Sequence, residues 1–243
     1  MLTHLHKYQI LFLDIETAAQ YPNYEELPPR MQELWNKKAS LLSKKEEITA
    51  DELYERAGIY AEFGKIVCIS IGYFEKKFQK LRIKSFFGHN EKKLLQIFAE
   101  TLNNHFKTEN DLLCAHNGKE FDFPYIARRM LVNKIKLPGL LNIAGKKPWE
   151  IQHLDTMELW KFGDYKHYTS LDLLTAIFEI PSPKSDIDGS EVNYIYWQEK
   201  DVKRIAKYCQ NDVLAIAQLL NAYQGKTLWE EKDVEFLDLK EIE

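Results

Sequence analysis

The chain carries no excess of positive charge: among its 243 residues, 33 Lys and Arg face 37 Asp and Glu, a formal net charge of −4. That weighs against a DNA-coating or chromatin role, where binding strength comes from many cations on phosphates. It leaves room for an enzyme that grips one strand end, because a basic channel can lie beside an acidic site. Cysteine is scarce as well. Cys68, Cys114 and Cys209 are far apart and form no CxxC pair, and no Cys/His set points to zinc. Two of them lie in apolar runs, so buried, reduced thiols are expected, as suits a cytoplasmic protein. Long apolar runs are missing: the first, residues 10–13, has a strand's length and is too short for a signal peptide or membrane span. No membrane partner is expected, and no repeat or low-complexity block is present.

What the chain does have is a 45% apolar fraction with 13% aromatics, enough bulk for one sizeable core. Residues 8–14 form a short apolar run ending in a carboxylate and read as a buried strand. Residues 64–74 and 112–115 read as further strands, rich in β-branched or apolar residues, and the alternation over 80–87 as another. Helical periodicity marks 92–106, 123–132 (Pro124 in its first turn), 170–180 and 200–223. Residues 151–159 suit a strand turning into a helix. The segment 20–62 differs in character. Pro28-Pro29, a charged run at 44–47 and Thr49 with Glu52 in capping-box spacing predict one or two exposed helices. The tail beyond 223 reads as surface. The order predicts a single α/β domain over 1–243, a mixed β-sheet flanked by helices, with a helical insertion at about 20–62.

Three segments carry chemistry. Asp14 and Glu16, two apart on a strand, project to one side, and two converging anions are costly without a cation. Asp122 follows His116-Asn117-Gly118-Lys119-Glu120-Phe121 at a strand-to-helix junction, where functional residues of α/β folds gather. Tyr208 and Asp212 lie four apart in the last helix, about 40° apart around its axis. Each admits a plain reading alone: surface charge for the first pair, a helix cap for Asp122, core and exposed helix face for the third.

Together they resemble the DEDD exonucleases of the ribonuclease H-like superfamily, above all the proofreading domain of family B DNA polymerases. Asp14-Ile15-Glu16-Thr17 looks like the first motif of that domain and Asn117-x-x-x-Phe121-Asp122 like the second. Tyr208-x-x-x-Asp212 is similar to the third, in its tyrosine version; the histidine version would place His where this chain has Lys207. The motifs span residues 14 to 212 in the family's order. The resemblance implies a ribonuclease H-like fold and a stand-alone 3′→5′ exonuclease, since no polymerase follows. It also implies two divalent ions, Mg²⁺ or Mn²⁺, whose hard character suits oxygen ligands. Asp14 would bridge both ions, Glu16 and Asp212 would hold the nucleophile-side one, and Asp122 the other. Tyr208 would orient the attacking water, and Thr17, Asn117 and Phe121 would hold the terminal nucleotide. The implied partner is a nucleic acid, in the first place the 3′ end of single-stranded DNA.

Other readings keep different parts of this. An exoribonuclease acting on RNA or short oligonucleotides uses the same chemistry and differs in contacts to the 2′-OH. A non-catalytic nucleic-acid-binding module would have lost a ligand, and all four acids are present. Arg128, Arg129, Lys146 and Lys147 are candidates for phosphate contacts or for exposed faces. His116, Asp155, Asp186 and Asp188 are expected to serve as structural hydrogen-bonding, cap or turn residues.

Overall fold

The apolar run from Ile10 opens a first strand, β1 (Ile10–Ala19), that continues well past the acids. It pairs antiparallel with β2 (Gly64–Phe74), which pairs antiparallel with β3 (Leu81–Phe87). On its other side β1 pairs parallel with β4 (Leu112–Ala115), and β4 with the two-residue β5 (Leu154–Asp155). β6 (Val234–Phe236) closes the far edge parallel to β3, so the mixed sheet runs β5-β4-β1-β2-β3-β6. The computed structural model describes residues 5–42, 48–75, 77, 79–164, 168–181 and 186–243; the charged run at 44–47 lies outside them, as do residues 184 and 185.

Helices cover both faces, as the mixed α/β expectation required. One face of β1 shows Leu11, Leu13 and Ile15 to α3 (Glu91–His105) and α4 (Asp122–Val132), which bring Leu94, Leu95, Phe98, Phe123 and Ile126. The other face meets α8 (Val202–Tyr223), whose Val213, Ile216, Ala217 and Leu220 cover Ile10 and Phe12. Gly72, opposite Phe12 on β2, lets this helix come close: a Cβ there would stand 2.8 Å from Val213 Cγ1. No described helix is long and apolar enough to cross a membrane.

The segment at about 20–62 supplies α1 (Pro29–Leu42) and α2 (Ala50–Tyr54), and the Thr49–Glu52 capping box is formed. Fully buried Trp35 centres a small core here, its ring 5.4 Å from Tyr54 and 5.0 Å from Phe63 and its Nε1 donating to Ala50 O at 2.6 Å. The segment docks on the end of β1. Gly58 lies against the Ala18 backbone, and its carbonyl accepts the Tyr125 hydroxyl at 2.7 Å.

Several boundaries differ from the sequence reading. The first strand does not stop at Asp14, because Glu16 to Ala19 continue the ladder to β2 through a bulge at Glu16/Thr17. The residues at 151–159 do turn from β5 into a helix, α5 (Thr156–Lys161). The next helix, α6 (Leu171–Ile177), starts at its Ser170 cap and ends before Glu179, which has positive φ. A short helix, α7 (Val192–Tyr194), leads into a π-helical turn over Ile195–Glu199 ahead of α8. The tail is more than surface: β6 belongs to the sheet, and Ile242 N donates to Phe87 O at 2.9 Å.

Candidate active site

Phe12, Asp14 and Glu16 share the face of β1 turned to α8, because side chains alternate along a strand. Phe12 ends the apolar contact, and the two acids follow it into the gap beneath Cys209 and Asp212 of α8. Cys209 donates its thiol to Asp14 Oδ2 at 3.3 Å. Ligand atoms of Asp14, Glu16 and Cys209 lie within 4.8 Å of one another, and Asp122 and Asp212 stand outside that tight group among the described residues.

Asp122 arrives from the opposite face. β4 pairs with β1 only as far as Phe12, so beyond it the β1 edge is open. The loop after β4 turns there and starts α4, and Asp122 Oδ1 accepts the freed N–H of Ile15 at 3.2 Å. The crevice thus lies past the carboxyl end of β4, the usual place for ligands in open α/β sheets. A surface cavity of about 690 Å³, lined by Lys107, Asp111, Leu112 and His153 among others, lies at the other end of β4 and contains none of the four acids.

The electrostatics are those of crowded, buried anions. Burial raises the Asp14 carboxyl well above its usual range, and the charges of Asp212 and Asp122 raise it further. Glu16 is raised in the same way, by burial and then by Asp14 and Asp212. Asp122 is pushed up to about 8, chiefly by burial, against the pull of backbone N–H donors. Asp212 is raised to about 6 by burial, while a hydrogen bond from the Tyr208 hydroxyl holds it down. No described ion pair neutralises any of the four. Burial and the acids beside it drive the Tyr208 hydroxyl far above its ordinary value, so it stays protonated.

The residues suggested for a terminal nucleotide are set around this centre. Thr17 points to the α4 side, where its hydroxyl shares a hydrogen bond with Tyr125. Gly64 leaves room for that tyrosine, since a Cβ would stand 2.3 Å from its hydroxyl oxygen. Phe121 is half-buried with its ring 5.3 Å from Tyr125, so it belongs partly to the core. Asn117 has φ 60°, and its buried Oδ1 has no hydrogen-bond partner among the described residues. His116 is structural, bonded to Thr156 Oγ1 and Thr169 O, both at 2.9 Å. Arg129 is neither exposed nor available to phosphate. It is 5% exposed and pairs with Glu91 at 2.6 Å, because the α4 face it occupies is covered by α3 and the end of the 20–62 segment. Arg128, Lys146 and Lys147 are exposed. Cys209 and Tyr125 were not foreseen; their only sequence signal is adjacency to Tyr208 and spacing from Asp122.

A family described as "Predicted 3'-5' exonuclease related to the exonuclease domain of PolB" matches residues 59–223, more than half of the chain. A DNA polymerase from Pyrococcus glycovorans is 22% identical over 164 residues, 58% of this chain and 20% of the polymerase. The family B DNA polymerase of Pyrobaculum calidifontis superposes with a TM-score of 0.50 at 14% identity, over 87% of this chain and 24% of that one. That likeness shows the fold alone, and the ribonuclease H-like expectation stands. The zinc-bound complex of E. coli ExoI with ssDNA covers 90% of this chain and 42% of its own at 10% identity, with a TM-score of 0.39, too low to support an argument. The chain spans about a fifth of the curated relative and a quarter of the solved polymerase. The chain belongs to the family of predicted 3′–5′ exonucleases related to the exonuclease domain of PolB.

Proposed function

We propose that the chain, as a single domain, removes nucleotides from the 3′ end of single-stranded DNA, using two divalent ions, Mg²⁺ or Mn²⁺. The carrying observation is the gathering of Asp14, Glu16, Asp122 and Asp212 from three elements with raised proton affinities and no described cationic partner. Acids so placed fit divalent cations, because a cation relieves both the repulsion and the burial that hold protons on them. When bound, such a pair of ions turns water into a nucleophile and stabilises the departing 3′-oxygen.

The protein's own part is placement. Asp14 would serve both ions, Glu16 and Asp212 the nucleophile side, and Asp122 the leaving-group side. Tyr208 donates to Asp212 and cannot act as a base near neutral pH, so its work is to orient the attacking water. Asn117 offers its unpaired Oδ1 to a donor on the terminal sugar, and Phe121 presents half a ring for stacking, worth about 1–3 kcal/mol per base. Thr17 forms the floor on the α4 side.

Matched 5′-labelled DNA and RNA oligonucleotides with Mn²⁺ or Mg²⁺ test this. A ladder descending from the 3′ end on DNA is expected. A ladder on RNA alone would move the substrate to RNA, and no ladder with either sugar or metal would contradict the reading.

A further inference from the structure

Asp155 ends β5 and is 3% exposed. Its Oδ1 accepts from Met157 N at 3.0 Å and Glu158 N at 3.2 Å, two donors in the first turn of α5 that lack helical partners. That is the cap the sequence suggested. Two further contacts go elsewhere. Oδ1 also accepts from Asn117 N at 3.0 Å, and Oδ2 accepts from Lys119 N at 3.1 Å. The second oxygen therefore takes no part in capping. It serves the loop that leads to Asp122.

That loop is gripped from both sides. Gly118, between the two bonded amides, is packed so closely that a Cβ would stand 2.4 Å from Ala115 Cβ and 2.9 Å from the Phe123 ring. Lys119 Nζ adds an ion pair with Glu158 on α5 at 2.6 Å. From the loop, backbone bonds lead directly into α4. Asn117 O accepts from Phe121 N at 3.0 Å and Gly118 O from Phe123 N at 2.9 Å, so the residues on either side of Asp122 hang from the braced segment. Asn117 itself is held in a left-handed conformation, uncommon outside glycine, at φ 60°.

We infer that Asp155 is a positioning residue for the reaction, fixing the 117–119 loop and through it the placement of Asp122 and Asn117. This rests on the exonuclease reading, since it assigns the purpose of the brace to that site. Asp155 hydrogen-bonds to none of the four acids; it reaches the site through the backbone amides of the loop, and its charge also raises the Asp122 carboxyl.

The asparagine variant separates capping from bracing. In Asp155→Asn the amide oxygen can keep the three Oδ1 contacts, while its NH₂ group faces the Lys119 N–H, donor against donor. Asp155→Ser keeps a cap oxygen for α5 and removes both loop contacts. Amide hydrogen exchange by NMR, Mn²⁺ calorimetry and single-turnover cleavage at saturating Mn²⁺ read the two roles. In Asp155→Asn, Lys119 should lose exchange protection while Met157 and Glu158 keep theirs. The saturating rate should fall by about 10²-fold, the cost of a displacement of about 1 Å, with weaker Mn²⁺ binding. Asp155→Ser should lose at least as much. Both variants should melt within a few degrees of wild type. Wild-type Mn²⁺ affinity and rate in an Asp155→Asn protein whose Lys119 amide has become exposed would overturn the inference. So would a rate loss that follows melting temperature and vanishes on cooling. If wild type cleaves nothing, the exonuclease reading fails on its own, and Mn²⁺ affinity still shows whether the brace sets Asp122.

Discussion

Glu91 and the Asp14 cluster are both buried acidic groups, one on each side of the same sheet, and they are treated in opposite ways. Glu91 is 7% exposed and fully engaged. Its carboxylate receives Arg129 Nε at 2.8 Å and Nη2 at 2.6 Å, Ile66 N at 2.7 Å and Asn133 Nδ2 at 2.9 Å. Arg129 also donates from Nη1 to Ala61 O at 2.9 Å and from Nη2 to Gln20 Oε1 at 3.0 Å. Each Glu91 oxygen thus takes two donors. Asp14 has a weak thiol donor, Asp212 a tyrosine hydroxyl and Asp122 backbone N–H groups, with no described cation beside any of them. A paired buried acid ties α3 to α4 and the strand end. Unpaired acids store repulsion that an incoming cation relieves, and such arrangements mark functional sites.

The sharpest way to break this comparison is to delete one acid of each kind. Asp14→Ala or Asp212→Ala should lower single-turnover cleavage by at least about 10³-fold, beyond the 10²–10³ that losing one transition-state donor costs. Circular dichroism should remain that of the wild type. Glu91→Ala should do the reverse in kind. It leaves Arg129 charged and buried, which costs about 3–5 kcal/mol in denaturant unfolding, while folded molecules still cleave. Equal destabilisation by both substitutions would erase the distinction.

Tyr208→Phe is a smaller perturbation within the cluster. It keeps the ring and removes the hydroxyl that donates to Asp212. The saturating rate should fall by about 10²-fold, more than Mn²⁺ affinity does. Because that hydrogen bond lowers the proton affinity of Asp212, its loss should move the Asp212 midpoint in metal-free protein upward from about 6. An unchanged saturating rate would remove Tyr208 from the mechanism.

The parts of this account that were legible in the sequence depend on local pattern. Strands at 64–74 and 112–115, the Thr49–Glu52 cap and the three acidic segments all announce themselves within a few residues. What was not legible depends on partners distant in the chain. Thr17, Ala18 and Ala19 carry little apolar bulk, and they are strand because β2 runs beside them through the bulge. Val234–Phe236 is too short to signal a strand, and it becomes one only against β3. Arg129 looked like a surface cation, as arginines on helices usually are. Its burial requires Glu91, 38 residues earlier, to arrive on the same spot. Asp155 was readable as a cap, since the bonded amides follow it directly, but its bonds to Asn117 and Lys119 span 38 and 36 residues.

The central claim is that the four acids are strained without a cation, and a melting experiment tests it without knowledge of the substrate. The ordinary carboxyl midpoint lies near 4, and the folded values stand above it, about 6 for Asp212 and about 8 for Asp122. Below about pH 4 both folded and unfolded chains hold the protons. As pH rises, the unfolded chain releases them first, so metal-free protein loses stability, through Asp212 until about pH 6 and through Asp122 until about pH 8. Mn²⁺ at about 100 times its dissociation constant should return about 2.7 kcal/mol, roughly 5–10 °C for a chain of this size. At pH 7.5 in chelator, Asp14→Asn should melt at or above wild type, and on adding Mn²⁺ it should gain less than half of what wild type gains. A mutant that melts lower in chelator and yet gains as much from Mn²⁺ as wild type would make Asp14 a structural residue and contradict the account.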